Sequence, residues 1–456
     1  MLLDTCNNRL SDGRYDIIVH SPAAKYQFKN ACASLEDPQH LFSGASLVHR
    51  PFEDLAILHR LFQKGFELPR SNSSEHNSSL PIDIDSLPFL AGAMGLFGYD
   101  INIFTDGIKD NNAQQYHLDD IAVGFYTHSL IIDTYTNQVF YVCPEKSMSG
   151  PHGSTNCQWL QALLEPAPSE NFALIGEWTS NMNEAQYTES MNKIDEYLHS
   201  GDCYQINFAQ RFSAPYHGDE WLAYKKLTEV NKAPFSAFIR LPKSCVLSVS
   251  PERFLSVKNG EVVTKPIKGT RKRASDKQED EMLANELLSS EKDKAENLMI
   301  VDLLRNDLSK HCEVNSVSVP KLFALESYPA VHHMVSTVVG KLKANASPFD
   351  LLAGAFPGGS ITGAPKVRAM QIIQELEPDK RSIYCGSIGY LGIRDDMDTS
   401  ICIRTILAED GVLHCWAGGG IVLDSTAHDE YQESFHKVAK ILPTLSETIK
   451  EMNEGV

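Results

Sequence analysis

The chain has 456 residues, 42% of them hydrophobic and 22% charged, which is the make-up of a globular protein with room for one large two-layer domain or about three average ones. A formal net charge of −18 argues against nucleic-acid or anionic-membrane partners, which call for a basic face. The ten cysteines are scattered singly with no CxxC pair, and they read as reduced core thiols of a cytosolic protein rather than a disulfide frame or a zinc site.

Met1–Cys6 lacks the basic start and apolar core of a signal peptide, and no apolar run reaches the length of a membrane span. From Tyr15 to about Val142, short apolar runs (Asp16–Val19, Leu41–Val48, Ala122–Ile132, Val139–Val142) suggest a mostly antiparallel sheet. One helix is expected near Phe52–Lys64, with Leu55, Leu58, Leu61 and Phe62 on one face. Ser71–Ser79 reads as a polar exposed loop, and the glycine-spaced LAGAMGLFGY (Leu90–Tyr99) as closely packed backbone. Glu145–Ser180, rich in Pro, Ser and Gly, is the candidate seam between two halves.

Beyond the seam, Tyr187, Met191, Ile194 and Leu198 form the apolar stripe of a helix over Glu184–Ser200, with Gly201 as its stop. Strands are expected at Cys203–Phe212, Phe235–Leu241, Val246–Val249 and Val262–Pro266, then at Val335–Leu342, Tyr384–Ile393, Thr399–Leu407 and Val412–Ala417. Helices are expected at Lys277–Asp307, Pro365–Leu376 and His428–Leu442. Many antiparallel strands with segregated helices point to an α+β fold rather than a βαβ repeat.

The stretch that draws attention is VTKPIKGTRKR (Val263–Arg273). A β-branched strand meets Pro266, which donates no hydrogen bond, so the strand should end in an open bend with the amine of Lys268 at a sheet rim. Taken alone, a lysine there is most often simply solvated. Two helices each carry carboxylates three residues apart, Asp293 with Glu296 and Glu430 with Glu433. Such pairs are usually solvated faces, here with Lys292, Lys294 and Lys437 as partners. Brought together, the four acids would need a cation, and an all-oxygen set suits Mg²⁺. FPGGSITGAPKVRAM (Phe356–Met370) leads into a helix start suited to an anion. It lacks the Lys-Ser/Thr of a phosphate loop, as AGGGI (Ala417–Ile421) lacks the last glycine of a dinucleotide fingerprint. Both fit a carboxylate, and both are equally readable as tight turns. Glu252 in SPERF is a candidate acid or base. His333 and Arg404 sit inside apolar strands, where a charged arginine needs an anion or a partner.

PIKGT, AENLMIVDLLRNDL, HHMVS, FPGGSITGAPKVRAM, GSIGYLG, DTSICIRT, AGGGIV and DEYQES together resemble the chorismate-utilising enzymes, densely over Met182–Leu442 and more loosely through LAGAMGLFGYD. The resemblance implies an α+β fold of two large antiparallel sheets packed as a sandwich with helices outside. A β-rich half (1–180) and a chorismate-binding catalytic half (181–445) would interleave into one globule. Anthranilate synthases usually read PIAGT where this chain has Lys268. The resemblance therefore points to the branch that makes 4-amino-4-deoxychorismate, the precursor of 4-aminobenzoate and folate. Anthranilate synthesis and a non-catalytic chorismate- or tryptophan-binding regulator stand as the alternatives.

By the same resemblance Lys268 is a nucleophile and Glu252 the acid/base that helps the C4 hydroxyl leave. Glu296 and Glu433, supported by Asp293 and Glu430, hold Mg²⁺. Gly269, Thr270, His333, Tyr384, Arg404 and the amides of Gly418, Gly419 and Gly420 contact chorismate, with Lys366 near its second carboxylate. No G-x-C-x-G nucleophile elbow is present, so a separate glutamine amidotransferase subunit is expected to supply ammonia. Relatives carry a strand ahead of Met1, which gives this chain the look of a late start. Leu2–Thr5 and Pro234, Phe235 and Ser236 resemble a tryptophan pocket, with Asp4 and Thr5 in place of Glu and Ser.

Overall fold

The computed structural model describes residues 1–6, 13–66, 84–110, 116–144, 153–164, 171–328 and 331–447. The expected polar loop Ser71–Ser79 and part of the seam lie outside them. Apolar alternation and β-branched runs build two antiparallel sheets, of twelve and eleven strands among the described residues: a run of ten in each, with Gly363–Ala364 and Ala173–Leu174 also pairing with Gln205–His217 in the first and Ser318–Ser327 with Val331–Lys341 in the second. The first sheet runs in order Thr179–Ser180, Gln205–His217, Val412–Ile421, Thr405–Glu409, Cys245–Ser250, Phe235–Arg240, Leu2–Asp4, Tyr15–Ile18, Ser129–Asp133, Gln138–Val142. The second runs Ile267–Lys272, Val331–Lys341, Glu261–Thr264, Arg253–Lys258, Met397–Ile401, Ser387–Gly392, Gly92–Phe97, Ile121–Tyr126, Ala24–Lys29, Cys32–Glu36. Each sheet therefore draws strands from both ends of the chain: Leu3 pairs with Ala237, and Gly95 with Gly389.

The largest core cluster joins residues of both sheets (Val246, Leu407, Leu255, Ile388, Phe125) with Leu55 and Phe62 of helix Pro51–Lys64 and Phe349 of helix Pro348–Ala355. Other helices cover outer faces. Tyr187, Met191, Ile194 and Leu198 are all buried, against Ile206, Phe208 and Ile372. Those four side chains stabilise helix Glu184–Ser200 by roughly 1.5–3 kcal/mol each. Its Asn183–Gln186 capping box contributes only about 1 kcal/mol, so packing holds this helix and capping sets where it begins. Gly201 ends it at φ +77°, as its position suggests.

Four expectations are corrected. Residues 41–48 form turns and irregular chain rather than a strand, whereas Leu90–Tyr99 is closely packed backbone as expected, in the form of a strand buried on both faces, Gly92–Phe97. The expected helix Lys277–Asp307 is two helices, Lys277–Ser289 and Glu291–His311. Ser290 leaves the helical conformation and its hydroxyl caps the second by accepting from the Asp293 amide. AGGGI is no turn but the end of strand Val412–Ile421. Lys268 likewise sits not in an open bend but on a fresh strand, Ile267–Lys272. Among the described residues no helix is long and apolar enough to cross a membrane.

Candidate active site

Pro266 does end the strand Glu261–Thr264, and pairing with Val331–Lys341 then resumes out of step. Ile267 faces Val335, but Thr270 faces His333, a β-bulge that places one extra residue on the lysine strand. Gly269 makes the bulge with φ +81°, and a Cβ there would lie 2.8 Å from Leu287 and 2.9 Å from the Asp293 carboxyl. The bulge is thus pressed against the helix that carries two of the candidate acids, and it aims Lys268 away from the regular pleat.

The Lys268 amine donates to the Ser360 carbonyl at 3.3 Å, and the Ser360 hydroxyl donates to Glu252 Oε1 at 3.1 Å. One residue of the Gly359–Ile361 turn therefore bridges the two candidate catalytic groups. Glu252 is 6% exposed, and burial pushes its carboxyl up to about 7 against the opposing pull of Lys268 and Ser360. Burial lowers the Lys268 amine from its ordinary value. Glu296, Glu252 and Glu433 oppose that shift and Lys437 adds to it. A carboxyl raised and an amine lowered side by side are what acid and nucleophile roles near neutral pH require.

Arg404, at φ +53°, has no ion-pair partner among the described residues. Burial lowers it, and Glu252 is the acid that opposes this. A desolvated guanidinium of that kind calls for an anion. Thr270 Oγ1 and His333 Nδ1 lie 2.9 Å apart, and His333 is lowered to about 4 by burial, with Arg404 and His332 adding to it, so its ring is neutral at pH 7.

Glu430 and Glu433 of helix Ala427–Val438 lie over the triglycine strand, and Glu296 of helix Glu291–His311 is close enough to feel the Glu433 charge. A Cβ on Gly419 would fall 2.7 Å from Glu430 Oε2 and 3.4 Å from Glu433 Oε1, and one on Gly420 would strike the Gln205 amide with the Lys268 amine 3.6 Å away. Glu296 is raised by burial, with Glu433 and Asp293 adding to it against Lys268 and Lys292. Burial also works to raise Glu433, but Lys437, Lys292 and Lys268 outweigh it and leave it low. The solvated-face reading holds in part, since Lys437 bonds Glu433 at 2.8 Å and Arg271 bonds Asp293 at 3.3 Å. It fails for Glu430, whose Oε2 is buried without a hydrogen-bond partner while Oε1 accepts from Ser425. Among the described residues no three acidic, His or Cys side chains close on one point. Glu430 Oε2, buried and unpartnered beside Glu433, is the oxygen that a hydrated divalent ion would take up.

Two expected contact residues already have partners within the fold. The Lys366 amine is bound to Asp307 at 2.6 Å and to the Ala355 carbonyl at 2.8 Å, and Tyr384 is packed in the core, stacked on Trp416. Thr5, Pro234, Phe235 and Ser236 line a separate cavity of about 380 Å³ with Arg253, Tyr390 and Asp398. Sequence reading passed over Ser360 and Gln205. Gln205 is fully buried beside Gly420 with neither amide atom hydrogen-bonded, and in the run QINFAQR, with its other polar residues, nothing local singled it out.

A sequence model of the chorismate binding enzyme family matches residues 33–443. The chain is 44% identical over 445 residues to the aminodeoxychorismate synthase component 1 of Klebsiella aerogenes, covering 98% of this chain and 93% of that one. It is 50% identical over 367 residues to the protein of the same name from Escherichia coli K12, covering 80% and 79%. Among solved structures, anthranilate synthase component I from Streptococcus pneumoniae TIGR4 superposes with a TM-score of 0.78 at 30% identity, over 94% of this chain and 92% of that one. With the bulged lysine, the buried acid and the paired acidic helices on one sequence that this model spans, the chain belongs to the chorismate binding enzyme family.

Proposed function

We propose that this chain is the chorismate-handling subunit of an aminodeoxychorismate synthase, converting chorismate and ammonia to 4-amino-4-deoxychorismate for 4-aminobenzoate and folate synthesis. The observation that carries the reading is the Ser360 bridge between an amine that burial weakens as a base and a carboxyl that burial holds near 7. Relatives named for this activity at 44% and 50% identity support it.

The neutral Lys268 amine adds to C2 of chorismate, both conjugated ring double bonds shift by one position (C1=C2 to C1=C6, C5=C6 to C4=C5), and the C4–O bond breaks as Glu252 gives its proton to the departing hydroxyl, releasing water. Ammonia then attacks C4, both double bonds shift back, and the C2–N bond breaks to restore Lys268. Glu252 recovers its proton from the newly formed ammonium or from solvent. Arg404 and Thr270 bind and orient substrate, and neutral His333 keeps Thr270 in place. Glu296 and Glu433, with Asp293 and Glu430 in support, would hold Mg²⁺, which when bound supplies charge to anchor the C1 carboxylate. Because the protein's own acids leave coordination positions for water and substrate, the donor chemistry suits that ion.

Ammonia comes from a separate glutamine amidotransferase subunit in the cytoplasm, where cysteines stay reduced. Incubation with chorismate, Mg²⁺ and ammonium, followed by a lyase, should yield 4-aminobenzoate. Anthranilate in its place would establish the rival reading.

A second reading concerns the cavity by the first strand. Pairing of Asp4 with Ser236 joins Thr5 and Pro234–Ser236 on one wall, where Arg253 lies 4.9 Å over the Phe235 ring. That lining of aromatic, cationic and acidic groups suits a zwitterionic aromatic amino acid such as tryptophan. Calorimetric titration with tryptophan that shows no heat at millimolar concentration would remove this reading.

A further inference from the structure

Arg381 is, among the described residues, the bulkiest side chain that the fold hides completely, 1% exposed, and the proposed reaction does not use it. Glu377, four residues earlier, accepts from its Nε at 2.9 Å and from its Nη2 at 2.6 Å. Two further bonds reach main chain: Nη1 donates to the Ile361 carbonyl at 3.0 Å and Nη2 to the Asn207 carbonyl at 2.7 Å. The guanidinium also lies 4.7 Å from the Tyr99 ring centre, and Glu377 Oε1 takes the Ala209 amide at 2.9 Å.

Stability alone is a poor reason for this arrangement. Desolvating two charges offsets most of their attraction, and an apolar pair of similar volume often stabilises as well or better. What an apolar pair lacks is a planar fork that holds several fixed oxygens at once. The oxygens held here belong to segments that meet at the reacting groups. Ile361 directly follows Ser360, the residue that holds both the Lys268 amine and the Glu252 carboxyl. Asn207 pairs with Gly420 on the same strand as Gln205, beside the Lys268 amine.

We propose that Arg381, held by Glu377, is a positioning residue that clamps the Gly359–Ile361 turn to strand Gln205–His217 and so sets where Ser360 holds Lys268 and Glu252; the inference rests on the roles proposed above for those two residues. Loosening the clamp lets the turn drift and water reach the amine. The reacting groups then stay present but misplaced.

The test uses the full chain with Arg381→Lys, which keeps charge but loses the fork, and Glu377→Gln, which keeps shape but loses charge. Lys268 acetylation by acetic anhydride is followed by peptide mass across pH, with a chelator present so that no divalent ion sits among the acids. Glu296 and Glu433 from the two acidic helices, Lys437 from the second of them, and Glu252 face this amine, and none is altered in either variant. The expected result is a labelling midpoint moved up by about half a pH unit or more as the amine regains water, with other lysines unmoved. Turnover of chorismate with ammonium should fall about 10–100-fold, the scale of a displacement of ~1 Å, while KM for chorismate stays within about threefold. Folded variants with a wild-type midpoint overturn the proposal, whether or not turnover drops. Should Arg381→Lys fail to fold, Glu377→Gln decides the matter by the same midpoint. Because the midpoint is read on the free protein, a wild type that makes no aminated product defeats the functional reading without deciding this one.

Discussion

Replacing Glu252 with glutamine should cripple the enzyme and, above neutral pH, stabilise it. The carboxyl is 6% exposed and burial holds it at about 7, against an ordinary value of 4.5, with the attraction of Lys268 already included. A carboxyl raised on folding binds more protons folded than unfolded, so its contribution falls as pH climbs from about 4.5 to about 7 and stays low above that. Between pH 5 and pH 8 the wild type should lose about 2–3 kcal/mol relative to Glu252→Gln, whose amide does not titrate. For a chain of this length that is a melting gap widening by about 2–3 °C. Over the same range the acid-catalysed step should lose about 10²–10⁴-fold in the variant, and the wild-type rate should decline as pH rises through 7 and the proton is lost. Differential scanning fluorimetry at the two pH values, beside a chorismate-consumption assay, reads both effects. A melting gap that is the same at pH 5 and pH 8 would refute the buried-acid argument, whatever happened to the rate.

Lys268→Ala should abolish the chorismate adduct seen by intact mass, and an adduct that survived the change would remove Lys268 as nucleophile. Glu433→Gln should raise the Mg²⁺ concentration for half-maximal activity by at least the roughly tenfold that even outer partners of a metal site contribute, and an unmoved Mg²⁺ titration would take Glu433 out of the site. Gly269→Ala forces a side chain into φ +81° and against Leu287 and Asp293, so it should cost about 1–2 kcal/mol or more in denaturant unfolding and slow adduct formation. A variant as stable and as fast as the wild type would mean that the bulge does not aim the lysine.

The parts of this fold that were readable in the sequence are those whose signals are local. Helix Glu184–Ser200 declares itself by an apolar stripe and a glycine stop within about twenty residues, and the two acidic pairs follow from the helical repeat alone. The bulge at Lys268 was hidden because Pro266 and Gly269 announce a break but not the strand that resumes across it. Only pairing with Val331–Lys341, some sixty residues on, turns the segment back into strand. Strand Gly92–Phe97 was missed for a similar reason: buried on both faces between Ile121–Tyr126 and Ser387–Gly392, it shows no polar alternation to read.

The site divides along the same line, and this bears on how it works. Residue types that carry charge could be picked out singly, yet their chemistry depends on burial and on distance, which periodicity does not encode. Glu252 in water would be an ordinary carboxylate and Lys268 an inert ammonium. Burial shifts both groups, and Ser360, a neutral residue more than ninety positions from Lys268, fixes where they sit; the acid and nucleophile roles proposed above rest on the two together. A change at the turn, at Arg381 or at Glu377 should therefore reach the reaction without touching a charged catalytic group. Substitutions of comparable size on the exposed strand Cys32–Glu36, at the far edge of the same sheet as the lysine, should leave it unaltered.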